Sequence, residues 1–136
     1  MKRVVCAGTF DHLHPGHIDY LLQAKALGDE LVVIVARDET VARIKGIRPE
    51  HDENRRKTDV EATGIPMRVV LGNLEQDLFF ILGELAPDII ALGYDQRVSE
   101  EDLKTQVPAC TVVRLKPFHP DRFKSSFYRA GSQGGS

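Results

Sequence analysis

Leu31-Val32-Val33-Ile34-Val35-Ala36 is an unbroken apolar run of strand length. A strand with one wet face alternates apolar and polar residues, whereas a parallel strand covered on both faces reads as continuous hydrophobicity. Helices must therefore lie on both sides of the sheet that contains this run. Working outward, apolar segments at Arg3–Ala7, Arg68–Leu71, Ile89–Leu92 and Thr111–Leu115 predict four more strands, and helical spacing fills the intervals. Ile18, Leu21, Leu22, Ala24 and Leu27 predict a helix over Pro15–Leu27, with Gly28 suited to a left-handed stop. Further helices are expected over Asp38–Ile44, Asn54–Thr63, Asp77–Leu85 and Ser99–Lys104, with Asp38, Asp77 and Ser99 as N-caps. Strand and helix in alternation make an α/β domain with a mostly parallel sheet of about five strands.

The 136 residues are enough for one domain with a real core and too few for two. A composition 42% hydrophobic and 28% charged excludes a disordered chain. Eighteen Lys+Arg against twenty Asp+Glu leave a net charge of -2, which argues against nucleic acid or a membrane surface as partner. Any bound anion must be held locally. No apolar run reaches the roughly 18 residues of a transmembrane helix, and the chain enters a strand at Val4-Val5-Cys6-Ala7 without a signal-peptide pattern. Cys6 and Cys110 lack CxxC spacing; a reduced cytoplasm is expected, with each thiol a small buried hydrophobe. The domain is expected to span residues 1–129, and the glycine-rich residues 130–136 to form a flexible tail.

Ala7-Gly8-Thr9-Phe10-Asp11-His12-Leu13-His14-Pro15-Gly16-His17 joins the first strand to the first helix, at the carboxyl edge of the sheet where ligands bind. A helix N-terminus offers unpaired N–H groups and partial positive charge, which suits phosphate. His14 and His17, three residues apart, share one side of the first turn. Gly8 and Gly16 allow close approach to the backbone. Neither the dinucleotide pattern G-x-G-x-x-G nor the P-loop ending G-K-[ST] is present. Three readings compete here. His12, His14 and His17 with Asp11 are chemically suited to a transition metal, but no distant Cys or His cluster completes the set, so no metal ligands are assigned. Alternatively, Pro15 starts a helix whose histidines are mere surface. Phosphate gripped by histidines at a helix end accounts for more of the stretch than either.

Gly8-Thr9-Phe10-Asp11-x-x-His14-Pro15-Gly16-His17 resembles the G-T-F-D-x-x-H-x-G-H signature of the cytidylyltransferase-like nucleotidyltransferases. Gly93-Tyr94-Asp95-Gln96 and Lys124-Ser125-Ser126-Phe127-Tyr128-Arg129 are similar to two further family elements, in the family's order, and the likeness covers roughly residues 2–129. It implies a single Rossmann-like α/β domain that joins a nucleoside monophosphate unit from a triphosphate to a phosphorylated acceptor. In that family pattern His14, His17, Lys45 and Arg129 are catalytic, holding the triphosphate and stabilising transition-state charge. Gly8, Thr9, Phe10, Gly16, Gly93, Asp95, Gln96, Ser125 and Ser126 would bind the nucleotide. Asp11, Arg55 and Arg56 would face the acceptor, the sequence leaving the two arginines unseparated. Asp11 is also a candidate to help hold a magnesium ion bridging triphosphate oxygens. From Arg114 onward five Lys+Arg stand against one acid, Asp121, a local excess attractive to a triphosphate.

Within the family, Val35-Ala36-Arg37-Asp38-Glu39-Thr40-Val41, Lys45-Gly46, Pro87–Gln96 and Phe123-x-Ser125-Ser126-Phe127 resemble the archaeal-type FAD synthases. The implied substrates are ATP and FMN, with Mg2+. Phe118, Phe123, Phe127 and Tyr128 would then flank a flavin ring or simply fill core. Glycerol-3-phosphate cytidylyltransferases, which use CTP, share the first motif but carry an R-T-x-G-I-S-T-T segment that this chain lacks. A non-catalytic nucleotide-binding module and a metal-dependent phosphate hydrolase are the alternatives from other classes. Small members commonly work as homodimers, which sets the expectation here.

Overall fold

Five strands lie side by side in the order β3-β2-β1-β4-β5, where β1 is Arg3–Gly8, β2 Glu30–Val35, β3 Arg68–Leu71, β4 Ile89–Leu92 and β5 Thr111–Arg114. Every pairing is parallel, with Val5 opposite Val32 on one side of β1 and Ile90 on the other. The computed structural model describes residues 2–72, 84–93, 100–106 and 108–117. Its helices are α1 (Pro15–Lys25), α2 (Asp38–Lys45), α3 (Glu53–Ala62) and α4 (Glu100–Gln106).

The continuous hydrophobicity of β2 has the expected cause. Val4, Cys6, Leu31, Val33 and Val35 enter one core cluster with Leu21 and Ala24 of α1 and Val60 of α3. Their alternating neighbours Val5, Val32 and Ile34 enter a second with Leu103 of α4 and with Leu85, which precedes β4. Two clusters of opposite strand parity mean a sheet buried on both faces. The strand order turns round at β1, so the gap beyond the carboxyl ends of β1 and β4 is the switch point where ligands of open α/β sheets bind.

Two local expectations are corrected. Gly28 is not a left-handed stop: α1 ends at Ala26 in ordinary helical conformation. A Cβ at Gly28 would meet the Lys2 carbonyl and Val4 at 2.8 Å, so close approach to β1 is what requires glycine there. Asp38 is not an N-cap but the first residue of α2, after Arg37. The side chain that caps α2 comes from another helix, since Glu53 Oε1 accepts the Asp38 N–H at 2.8 Å. The N-cap of α3 is Asp52, whose carboxylate accepts the Arg55 N–H. Most of the helix expected over 77–85, the caps Asp77 and Ser99, and the tail 130–136 lie outside the described residues.

Candidate active site

The first turn of α1 is closed by its own histidines. His14 is the N-cap, and its Nδ1 accepts the Gly16 N–H at 3.0 Å. His17 Nδ1 in turn accepts the His14 N–H at 3.3 Å, completing a reciprocal capping box. A backbone N–H can only donate, so each Nδ1 presents its lone pair, and in the neutral rings the proton sits on Nε2. The rings stack with centroids 3.9 Å apart. Two parallel Nε2–H donors are thus left for a ligand at a helix N-terminus. Burial, then the nearby His14 and the Lys45 charge, push the His17 pKa down to about 4 against a weaker opposing pull from Asp11. Burial lowers that of His14 as well.

Phe10 packs edge-on against His17 at 5.6 Å and, tilted, against Tyr20 at 5.9 Å. Tyr20 donates its hydroxyl to the Ala7 carbonyl at 2.9 Å, tying α1 to the end of β1. Phe10 itself is buried, so it supports the site from below. Its ring lies 2.9 Å from where a Cβ would stand on Gly8, which makes Gly8 necessary for the aromatic floor. Phe10 and His12 both have φ of 55°, a costly backbone conformation for such residues that the surrounding contacts must hold. Cys6 lies in the core under this turn, and burial pushes its thiol up to about 12 despite a hydrogen bond with Tyr20. It is inert. Cys110 is only half-buried and donates to the Pro87 carbonyl.

Arg56, expected at the acceptor, is turned inward instead. Its fully buried side chain donates to the carbonyls of His51, Thr9 and Ala36 at 2.8–2.9 Å and to Asp38 Oδ1 at 2.7 Å. One guanidinium, with five donors in a rigid fork, therefore joins the turn between β1 and α1, the end of β2, the start of α2 and the loop before α3. Arg55 is the exposed member of the pair, bound to Asp59 along α3. Glu53 adds a second tie, accepting from Arg37 Nη1 at 3.1 Å.

Asp11 anchors the loop before α3 from the other side. Its two oxygens accept the Glu50 and His51 N–H groups at 2.8 and 3.0 Å. Burial raises its pKa, but these two bonds and the neighbouring histidines outweigh that, and the net direction is down. The loop brings His51 against His12, ring centroids 4.3 Å apart, and Glu50 to 2.5 Å from His12 Nε2. Neither Glu50 nor His51 was legible as a site residue, because Pro49-Glu50-His51-Asp52-Glu53 reads as a solvated charge run.

Lys45 ends α2 and is exposed, its charge close enough to depress His17; Gly46 follows in left-handed conformation at φ 81°. Gly93 is buried at the end of β4, where its carbonyl accepts from Arg114. The structure therefore gathers Gly8, Thr9, Phe10, Asp11, His14, Gly16, His17 and Lys45 around one turn. Asp95, Gln96, Ser125, Ser126 and Arg129, with the aromatic residues from Phe118 on, lie outside the described residues.

The model of the family described as cytidylyltransferase-like matches residues 5–128. The FAD synthase of Methanosarcina barkeri is 50% identical over 107 residues, 79% of this chain and 75% of that one. The FAD synthase of Thermoplasma acidophilum is 44% identical over 133 residues, covering 95% of this chain and 92% of its own. Among solved structures, one titled as a lipopolysaccharide core biosynthesis protein from Thermoplasma volcanium superposes with a TM-score of 0.82 at 43% identity, covering 88% of this chain and 99% of the other.

Proposed function

The chain belongs to the cytidylyltransferase-like family, and from that premise we propose that it is an FAD synthase, moving AMP from ATP onto the phosphate of FMN. An oxygen of the FMN phosphate attacks the α-phosphorus of ATP. The bond from that phosphorus to the bridging oxygen of the β-phosphate breaks opposite it, giving FAD and pyrophosphate. The attacking oxygen is already anionic, so no general base is required, and catalysis consists of placement and charge stabilisation.

The observation that carries this reading is the reciprocal histidine cap, which fixes both Nδ1 atoms inward and leaves two Nε2–H donors side by side at a helix N-terminus. Those donors would grip the triphosphate through the transition state, and the Lys45 ammonium would share its charge. Keeping both rings neutral before substrate arrives lets them donate without paying for a buried cation. The other nucleotide contacts, from Gly8, Thr9, Gly16, Gly93, Asp95, Gln96, Ser125 and Ser126, and the charge from Arg129, complete the proposal. Of the acceptor residues, Asp11 would act by holding its loop and Arg55 by direct contact. Ile44 and Ile47, largely exposed on either side of Lys45, offer apolar surface that a flavin ring would cover.

Mg2+ prefers hard oxygen donors and few protein ligands, and the triphosphate oxygens provide that kind of set. Bound there, it would neutralise phosphate charge. A homodimer in the cytoplasm completes the reading; no helix among the described residues is long and apolar enough to cross a membrane.

The test is to incubate the protein and magnesium with ATP or CTP, each paired with FMN or glycerol 3-phosphate, and to weigh the products by mass spectrometry. FAD with pyrophosphate is expected from one pairing. CDP-glycerol would replace the substrates and keep the chemistry. Phosphate released without any adduct would indicate a hydrolase, and nucleotide bound but unchanged a binding module.

A further inference from the structure

We propose that Asp11, His12 and His51, with Glu50 beside them, form a binding site for one divalent transition-metal ion of the Zn2+, Co2+ or Mn2+ kind, which staples the loop before α3 to the turn before α1. Donor atoms of Asp11, His12 and His51 already lie within 4.8 Å of one another. His51 Nδ1 is buried with no hydrogen-bond partner among the described residues, at 3.6 Å from Asp11 Oδ1, beyond hydrogen-bonding distance. A buried polar atom left so is costly, and an ion between nitrogen and carboxylate satisfies both.

Donors about 2.0–2.2 Å from a common ion stand roughly 3–3.6 Å apart, so this set has to close by about an ångström. The geometry allows it. The Asp11 carboxylate and the His51 backbone are fixed to each other, whereas the side chains of His12 and Glu50 are 54% and 77% exposed and free to swing inward. Glu50 Oε1, within reach of His12, then serves as a fourth ligand or orients the ring. Two imidazoles with carboxylate oxygen favour a transition metal over Mg2+, whose preference is for oxygen alone. His14 and His17 are not part of this site, because their Nδ1 atoms are committed to the helix cap.

Titrating the metal-free full chain with Co2+ alone, followed by its visible ligand-field absorption, tests the site without any nucleotide, so the result is independent of which substrates the enzyme takes. Expected is saturation at one Co2+ per chain, displaced by Zn2+ but not by excess Mg2+. The melting temperature should rise by roughly 5–10 °C at hundredfold saturation. His12→Gln and His51→Gln should each weaken Co2+ binding tenfold or more, with the fold of each variant checked by circular dichroism. His12→Gln changes an exposed side chain and keeps the test open if His51→Gln does not fold. The double variant His14→Gln/His17→Gln should bind Co2+ as the parent does. Binding weaker than roughly 1 mM, binding that survives in His12→Gln, or binding lost with His14 and His17 would overturn the proposal.

Discussion

His14 and His17 each use Nδ1 to hold a backbone N–H of the turn they share, with their rings stacked at 3.9 Å. The rings that start α1 through Nδ1 are the same rings that would present Nε2–H to substrate. Removing either ring therefore costs a cap as well as a ligand contact.

For His17→Ala the expected signature is a loss in turnover of about 10²–10³-fold, the size typical of a donor aimed at developing charge. ATP affinity should change by less than about tenfold, because Gly16, Lys45 and the helix end remain. Steady-state FAD formation and calorimetric ATP binding separate the two effects. Weakened ATP binding with turnover unchanged would assign His17 to ground-state binding.

Acid should destabilise the fold through the same residue. The folded pKa of His17 is held near 4 by burial, below its ordinary 6.5, so the unfolded chain takes up the proton first. Stability contributed by the neutral ring is then full above pH 6.5 and is lost progressively as pH falls toward 4. Chemical denaturation between those limits should show a shallower pH slope for His17→Gln than for the parent.

Lys45 is one cause of that depression, by repelling a second positive charge. In Lys45→Met the His17 pKa should move up toward the ordinary histidine value. An NMR titration of the ring protons reads it directly, and an unchanged or lower value would place the ammonium elsewhere.

Replacing Arg56 with methionine leaves Asp38 and three carbonyls without their donor, a loss of about 3–5 kcal/mol for breaking a buried pair. Arg55→Ala, at an exposed helix position, should stay within about 0.5 kcal/mol. Urea denaturation of the two variants provides the comparison.

All five strands were legible to within a residue at either end, because period-two burial on both faces writes itself into a continuous apolar run. The turn from β1 into α1 was legible too, and the structure brings its two histidines together as the cap of α1. What one-dimensional reading could not supply was partnership. Arg55 and Arg56 look alike in a charged run, and only the return of α3 to the sheet edge separates an inward arginine from an outward one. Glu53 capping α2 and Asp11 holding the Glu50 and His51 amides are likewise bonds between distant segments, invisible to local propensity.

The guanidinium of Arg56 draws on residues 9, 36, 38 and 51 at once. A designer who transplanted residues 8–17 alone into another βα scaffold would carry across the histidines but not the arginine that ties Thr9 of their turn to the end of β2, to α2 and to the loop before α3. The transferable unit is the turn together with a third helix to brace it, and engineering this chemistry into a new host means moving both.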